Sequence, residues 1–252
     1  MKKNLILFQI VILSLVLMAG SCSESTNPDS EVSYLDLKVN DFWNYDVFSV
    51  DENGNTLMDE VSKKSIRLID SEVLDSKTGF SLRIEPETNN EFFTHISADE
   101  VGIFLYMGEI DLNQYATDPN IKTQIQILIP GWIKIMDYKN NEWESFFVEL
   151  NRVIEQDTVY GKLQINGKKL DKKEITYSNK TYMADVVKIT LDLSAKVTSP
   201  DSKIDESATS EIIYTFIEGI GIYSVEQKLN PLLGINQNTL EILTSNGNMG
   251  TP

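Results

Sequence analysis

Residues 143–150 read Trp143-Glu144-Ser145-Phe146-Phe147-Val148-Glu149-Leu150, and the class of the fold turns on them. Trp143, Phe146, Phe147 and Leu150 fall at i, i+3, i+4 and i+7, which is one face of a helix. Phe146, Val148 and Leu150 also alternate, as on a strand with one buried side. The strand reading is preferred because the segment is aromatic and β-branched and because hairpin signals flank it. Upstream, Pro130-Gly131 turns the chain before residues 132–138, and Lys139-Asn140-Asn141 turns it again. Downstream, residues 159–165 run into Asn166-Gly167, a pair that accepts positive φ at low cost and predicts a hairpin turn.

The same alternation recurs outward in both directions. In 42–50, Trp43, Tyr45 and Val47 share one side and Asn44 and Asp46 the other, and Asp51-Glu52-Asn53-Gly54 then turns the chain. Residues 65–74 make a second strand, 75–79 a turn, and Phe80, Leu82 and Ile84 alternate with polar neighbours in a third. Residues 92–97 and 103–107 flank a turn at 98–102. Residues 108–120 read as a loop with one helical turn near 112–115, and the isoleucines from Ile121 to Ile129 alternate as a strand. Val187, Ile189, Leu191 and Leu193 define one side of 186–197. Residues 198–207 read as an acidic loop, and 212–217 and 220–228 flank Glu218-Gly219-Ile220-Gly221, whose glycines suit a bulge or sharp bend. Residues 239–243 make a last short strand. The fold class is all-β: a strongly curved antiparallel sheet or open half-barrel with little helix. A single β-rich domain at 34–243 is followed by a polar tail at 244–252.

The start of the chain is of a different kind. Met1, Lys2 and Lys3 are positive, Leu5 to Ala19 form an apolar run broken by Gln9 and Ser14, and Ala19-Gly20-Ser21 lead into Cys22. The run is shorter than the roughly 20 residues that cross a bilayer, so 1–21 reads as a cleaved signal peptide, with an uncleaved signal anchor as the alternative. Ala19-Gly20-Ser21-Cys22 resembles the bacterial lipobox, departing from it at position minus three, where Ala19 replaces the usual Leu. The resemblance implies that Cys22 becomes the lipidated first residue and that the lipid bilayer is a partner. It places the protein in the cell envelope, on the outer membrane facing the periplasm or the surface. Residues 22–33 are polar and read as a flexible tether.

The whole chain carries 22 basic and 38 acidic side chains, and loss of Lys2 and Lys3 with the signal takes the formal charge from −16 to −18. Such a surface excludes nucleic acid and disfavours anionic headgroups, whose binding depends on Lys and Arg. Cys22 is the single cysteine, so no internal disulfide forms and the fold rests on its core. His95 is the single histidine, and with a lipidated cysteine no nitrogen and sulfur set for zinc can be assembled. Asp51, Asn53, Asn55 and Asp59 resemble a calcium loop only faintly, since Thr56 stands where glycine is needed and Ser62 where the bidentate Glu belongs. No Ser or Asp is marked as a partner of His95, and Gly219-Ile220-Gly221 is followed by strand-like residues rather than by the helix of a phosphate loop. These readings imply no catalytic residue, metal or cofactor.

Trp43-Asn44-Tyr45 in the first strand, Trp132 and Trp143 about a central hairpin, and Gly219-Ile220-Gly221-Ile222 near the end resemble envelope lipoproteins with a half-barrel sheet. More distantly, they resemble the lipoprotein carriers and receptors of the Lol system, without the long helices that line the carriers' cavity. Two functions follow as expectations. One is a binding module whose concave side, with Trp43, Tyr45, Trp132 and Trp143, holds an apolar or glycan ligand. The other is a structural or assembly protein that contacts another envelope protein.

Overall fold

A computed structural model describes residues 35–51, 55–86, 93–107, 131–154, 157–198, 203–228 and 238–249. The signal peptide, Cys22, the tether, the loop read at 108–120 and the strand read at 121–129 lie outside the described residues. Among the described residues there is no helix. The strands are β1 (Asp41–Val50), β2 (Thr56–Leu74), β3 (Lys77–Glu85), β4 (Phe93–Ala98), β5 (Gly102–Met107), β6 (Gly131–Asp137), β7 (Glu142–Ile154), β8 (Asp157–Tyr177), β9 (Lys180–Thr198), β10 (Lys203–Ile217), β11 (Gly221–Lys228) and β12 (Asn238–Asn248).

They form one antiparallel sheet in the order β6-β5-β4-β3-β2-β1-β12-β11-β10-β9-β8-β7. Each strand therefore lies beside its sequence neighbour, with one exception. β6 and β7 are consecutive in sequence but sit at opposite edges, while β1 and β12, the first and last strands, are paired in the middle. The result is an up-and-down meander rolled into a nearly closed barrel, with its seam at the middle of the chain. The curved all-β architecture expected from the alternation is the one found.

Up-and-down order puts every second connection at one end. There the turns are short: Asp75-Ser76 (φ 46 and 68), 99–101, 138–141, Ser178-Asn179 (φ 48 and 62) and 218–220. Two successive residues at positive φ make the tight turn whose twist matches that of antiparallel strands. We call this end the closed rim; the chain also enters the domain here, through Leu35 to Asn40. Gly219 (φ 74) lies in the last turn and Gly221 (φ 99) opens β11 directly after it, in keeping with a bend there.

Several boundaries differ from the sequence reading: β2 and β9 begin earlier, at Thr56 and Lys180, and four further differences are instructive. Asn166-Gly167 is not a turn: β8 runs straight through it, and the hairpin closes at Ser178-Asn179. Gly167 is needed for space, because a Cβ there would stand 2.1 Å from Trp143 Cε2 on the paired strand. Gly79 likewise lies inside β3, and the turn before it is only Asp75-Ser76. β10 begins at Lys203, within the stretch read as an acidic loop, and Asp205 there pairs with Lys196 of β9 at 3.4 Å. β12 continues past Leu243 to Asn248. Its end lacks an apolar signal, yet its backbone pairs with β1, and Thr244, Ser245 and Asn248 side chains hydrogen-bond to Asn44 and Asp41. The segment 143–150 is strand, within β7.

The core fills the inner side of the sheet. Leu68, Ile96, Leu105, Ile133, Ile165, Val187, Ile189, Tyr214 and Phe216 are buried in one cluster, each contributed by alternate positions of its strand. Bulges at Phe48/Ser49, Leu68/Asp70, Ile103/Phe104 and Thr215/Phe216 add local twist and let a sheet this wide close.

Candidate functional site

The four aromatic residues expected on one concave side divide into two groups. Trp43 and Tyr45 are 8% and 3% exposed and belong to the core. They extend from β1 across β12 to the start of β11. The β11–β12 ladder spans only Ser224 to Gln227, and below it the carbonyls of Ile220 and Ile222 accept hydrogen bonds from Trp43 Nε1 (3.3 Å) and Tyr45 Oη (3.0 Å). The two aromatic side chains thus supply donors where the ladder stops. Burial, then the Glu241 carboxylate, raise the Tyr45 phenol well above its ordinary pKa, so it remains a donor at neutral pH.

Beside Tyr45, Lys64 of β2 and Glu241 of β12 form a largely buried ion pair at 3.1 Å. Each charge needs the other in a low-dielectric interior, since removing one leaves the second uncompensated. Tyr214 of β10 shares this environment, and burial followed by Glu241 raises its pKa also.

Trp143 closes the seam. Its indole lies flat on Gly167, its Nε1 donates to the Lys134 carbonyl of β6 at 2.9 Å, and Ser145 Oγ donates to the same oxygen. The turn below is held by Asp137, which is 1% exposed. Its carboxylate accepts from the backbone N–H groups of Lys139 (2.9 Å) and Asn140 (2.8 Å) and from Lys134 Nζ (2.7 Å). Burial alone would raise the pKa of Asp137; the Lys134 ammonium and the Asn140 and Lys139 donors outweigh it and hold the carboxyl well below the usual range.

Trp132 stands elsewhere. Ile133, next along β6, is in the core, so Trp132 projects from the opposite side of the sheet. There the pairings Ser81↔His95, His95↔Tyr106 and Tyr106↔Trp132 align one row across β3 to β6. The Tyr106 and Trp132 rings meet edge to face at 5.1 Å, and His95 and Tyr106 at 6.0 Å. Trp132 Nε1 donates to the Leu74 carbonyl at 2.9 Å, and a Cβ on Gly79 would stand 2.8 Å from the far end of its indole. Gly79 lies three strands away, about 14 Å at the usual spacing in a flat sheet. The Trp132 indole therefore lies across β5 and β4 on this side and reaches β3.

Polar groups lie along this row. His95 Nε2 is 2.8 Å from Glu72 Oε1, and His95 Nδ1 is 2.9 Å from Thr94 Oγ1. Burial and then Asp75 raise the Tyr106 phenol. Lys77 Nζ lies 3.9 Å above the Phe104 ring and pairs with Asp99. The Thr94-His95-Glu72 chain has the group types of a hydrolytic triad. Thr94 sits at the register shift between Phe93 and His95, which keeps its Oγ1 beside the neighbouring imidazole.

The sequence reading named Trp132 but not His95, Tyr106 or Glu72 as its companions. A signal was present: Ile133 and Ile135 alternate with Trp132 and Lys134, which assigns Trp132 to the polar side. Asp51, considered for calcium, is engaged by Asn55, whose backbone N–H and Nδ2 donate to its carboxylate at 2.7 and 3.0 Å.

No family model matches the chain, and no curated protein matches it in sequence. Among solved structures it is similar to a candidate lipoprotein from Parabacteroides distasonis, with 13% identity and a TM-score of 0.42 over 85% of this chain and 98% of that one. It is also similar to a candidate exported protein with a YmcC-like fold from Bacteroides fragilis, with 9% identity and a TM-score of 0.30 over 83% of this chain and 96% of that one.

Proposed function

We propose that the protein is a lipid-anchored, non-catalytic binding module of the cell envelope, and that its ligand is a glycan bound along the Trp132, Tyr106 and His95 row. The address rests on the residues around Cys22. The observation that carries the binding site is the division of the aromatic residues. Trp43, Tyr45 and Trp143 give their donors to backbone carbonyls and their rings to the core and seam. The Trp132 row stays partly exposed on the other side, beside Glu72 and Asp75. Sugars present apolar C–H patches that stack on aromatic rings and hydroxyls that need acceptors and donors at the edge. A purely apolar ligand would leave Glu72 and His95 desolvated and is the poorer fit.

Titration of the protein with a panel of envelope and host glycans, followed by tryptophan emission, tests this reading. A saturable spectral shift that disappears in Trp132→Ala, with folding retained, is expected. An unchanged shift in that variant contradicts the site, and the absence of any shift across the panel favours the second reading, a structural protein. One feature speaks for that alternative: among the described residues β7, thirteen residues long, is hydrogen-bonded as a strand to β8 alone.

A further inference from the structure

We propose that the closed rim is a membrane-contacting surface, seated on the bilayer that holds the lipid of Cys22; this rests on the lipid-anchor reading above. The three most exposed large apolar side chains among the described residues, Val73, Met183 and Met249, lie at or near it. Val73 (72% exposed) lies two residues before the Asp75-Ser76 turn, and Met183 (59%) four residues after Asn179. Val39 (37%) and Met249 (53%) stand where the chain enters and leaves the sheet, linked by Met249 N–H to the Asn40 carbonyl and by Asn248 Nδ2 to the Val39 carbonyl. These positions belong to β2, the flanks of β1 and β12, and β9, so they are spread around the rim rather than gathered in one groove. Leu57, Val61, Ile69, Phe147 and Leu170 are also exposed, but lie farther from the rim along β2, β7 and β8.

The occupant is fixed by where the chain goes. Leu35 enters at this rim and is 13 residues from Cys22, a span of at most about 45 Å when fully extended. A lipid inserted at Cys22 therefore keeps the rim close to the bilayer, and contact becomes an intramolecular event with a high effective concentration. Few inserted side chains are then required. The rim turns and their flanks carry Lys139 and Lys180 but also Asp75, Asp99, Glu100 and Glu218, so the apolar tips and not a basic patch make the contact. The domain as a whole is acidic, but only this end has to meet the headgroups.

The sequence offers a clean test, because its single cysteine is the one that is acylated. Val73→Cys and Met183→Cys, with Leu57→Cys and Phe147→Cys as controls, would be labelled with an environment-sensitive fluorophore. The label would be read in the full-length lipidated protein on vesicles of phosphatidylethanolamine and phosphatidylglycerol. Rim labels should shift to the blue and lose most of their quenching by aqueous iodide, while control labels stay fully quenchable. If the protein floats with the vesicles and the rim labels quench like the controls, the anchor stands and the rim contact is wrong. If the protein does not float, the anchor reading fails and takes the rim contact with it. Rim labels protected equally without vesicles point to a protein partner and also overturn the proposal.

Discussion

Trp143 and Trp132 use the same device to different ends. Each rests its indole against a glycine and donates Nε1 to a backbone carbonyl. Trp143 does so at the seam, against the core, where its ring and Ser145 replace the β6–β7 hydrogen bonds that the sheet lacks. Trp132 does so on the opposite side, spanning four strands, and keeps part of its surface in solvent beside Tyr106 and His95. An aromatic residue on a strand is thus assigned to structure or to recognition by the side of the sheet from which it projects. Ring size and donor bonding are the same in both.

The sharpest break in this comparison is at the seam. Trp143→Ala should destabilise the protein by about 3–5 kcal/mol, the usual cost of deleting a packed tryptophan, because it also removes one of the two donors to the Lys134 carbonyl. Denaturant unfolding measures it. Gly167→Ala should cost about 1–3 kcal/mol through overpacking, since the new methyl would displace an indole held at both ends.

Asp137 belongs to the same seam and adds a dependence on pH. Its folded pKa lies below the unfolded value of about 3.9, so the stability it contributes is complete above that pH and is lost as the pH falls through the acid range. Asp137→Asn should lower stability at neutral pH by about 1–3 kcal/mol and flatten the acid limb below about pH 4. Parallel unfolding curves at pH 7 and pH 3 for the two proteins check both statements.

On the other side the expected effect on stability is smallest. Trp132→Ala removes a ring that packs outside the core, so its cost should fall below that at Trp143. Glycan binding should be lost all the same, and calorimetric titration separates the two effects.

Most of this fold was legible because period-two alternation survives in single strands. Val187, Ile189, Leu191 and Leu193 share a side, as expected, and the aromatic and β-branched content of 143–150 settled strand over helix. Asn166-Gly167 misled because glycine serves two purposes: it permits a turn, and it makes room for a ring. Nothing local to 166–167 reveals that Trp143 will lie there, since that contact depends on the register of β7 and β8. The end of β12 was missed for a related reason: Thr244, Ser245 and Asn246 have no apolar side to show, and backbone pairing with β1 is invisible in composition. The row of His95, Tyr106 and Trp132 was beyond reach because it needs the relative register of four strands, although the side taken by Trp132 could have been inferred from Ile133.

The separation of the three tryptophans can be measured directly by acrylamide quenching of their emission in the wild-type protein and in Trp132→Phe. The structure predicts a quenchable, red-shifted component in the wild type that is reduced in the variant, while the protected emission of the buried Trp43 remains. A quenchable component of undiminished size in Trp132→Phe would mean that Trp132 contributes none of it, and would contradict the exposed Trp132 row on which the binding site rests.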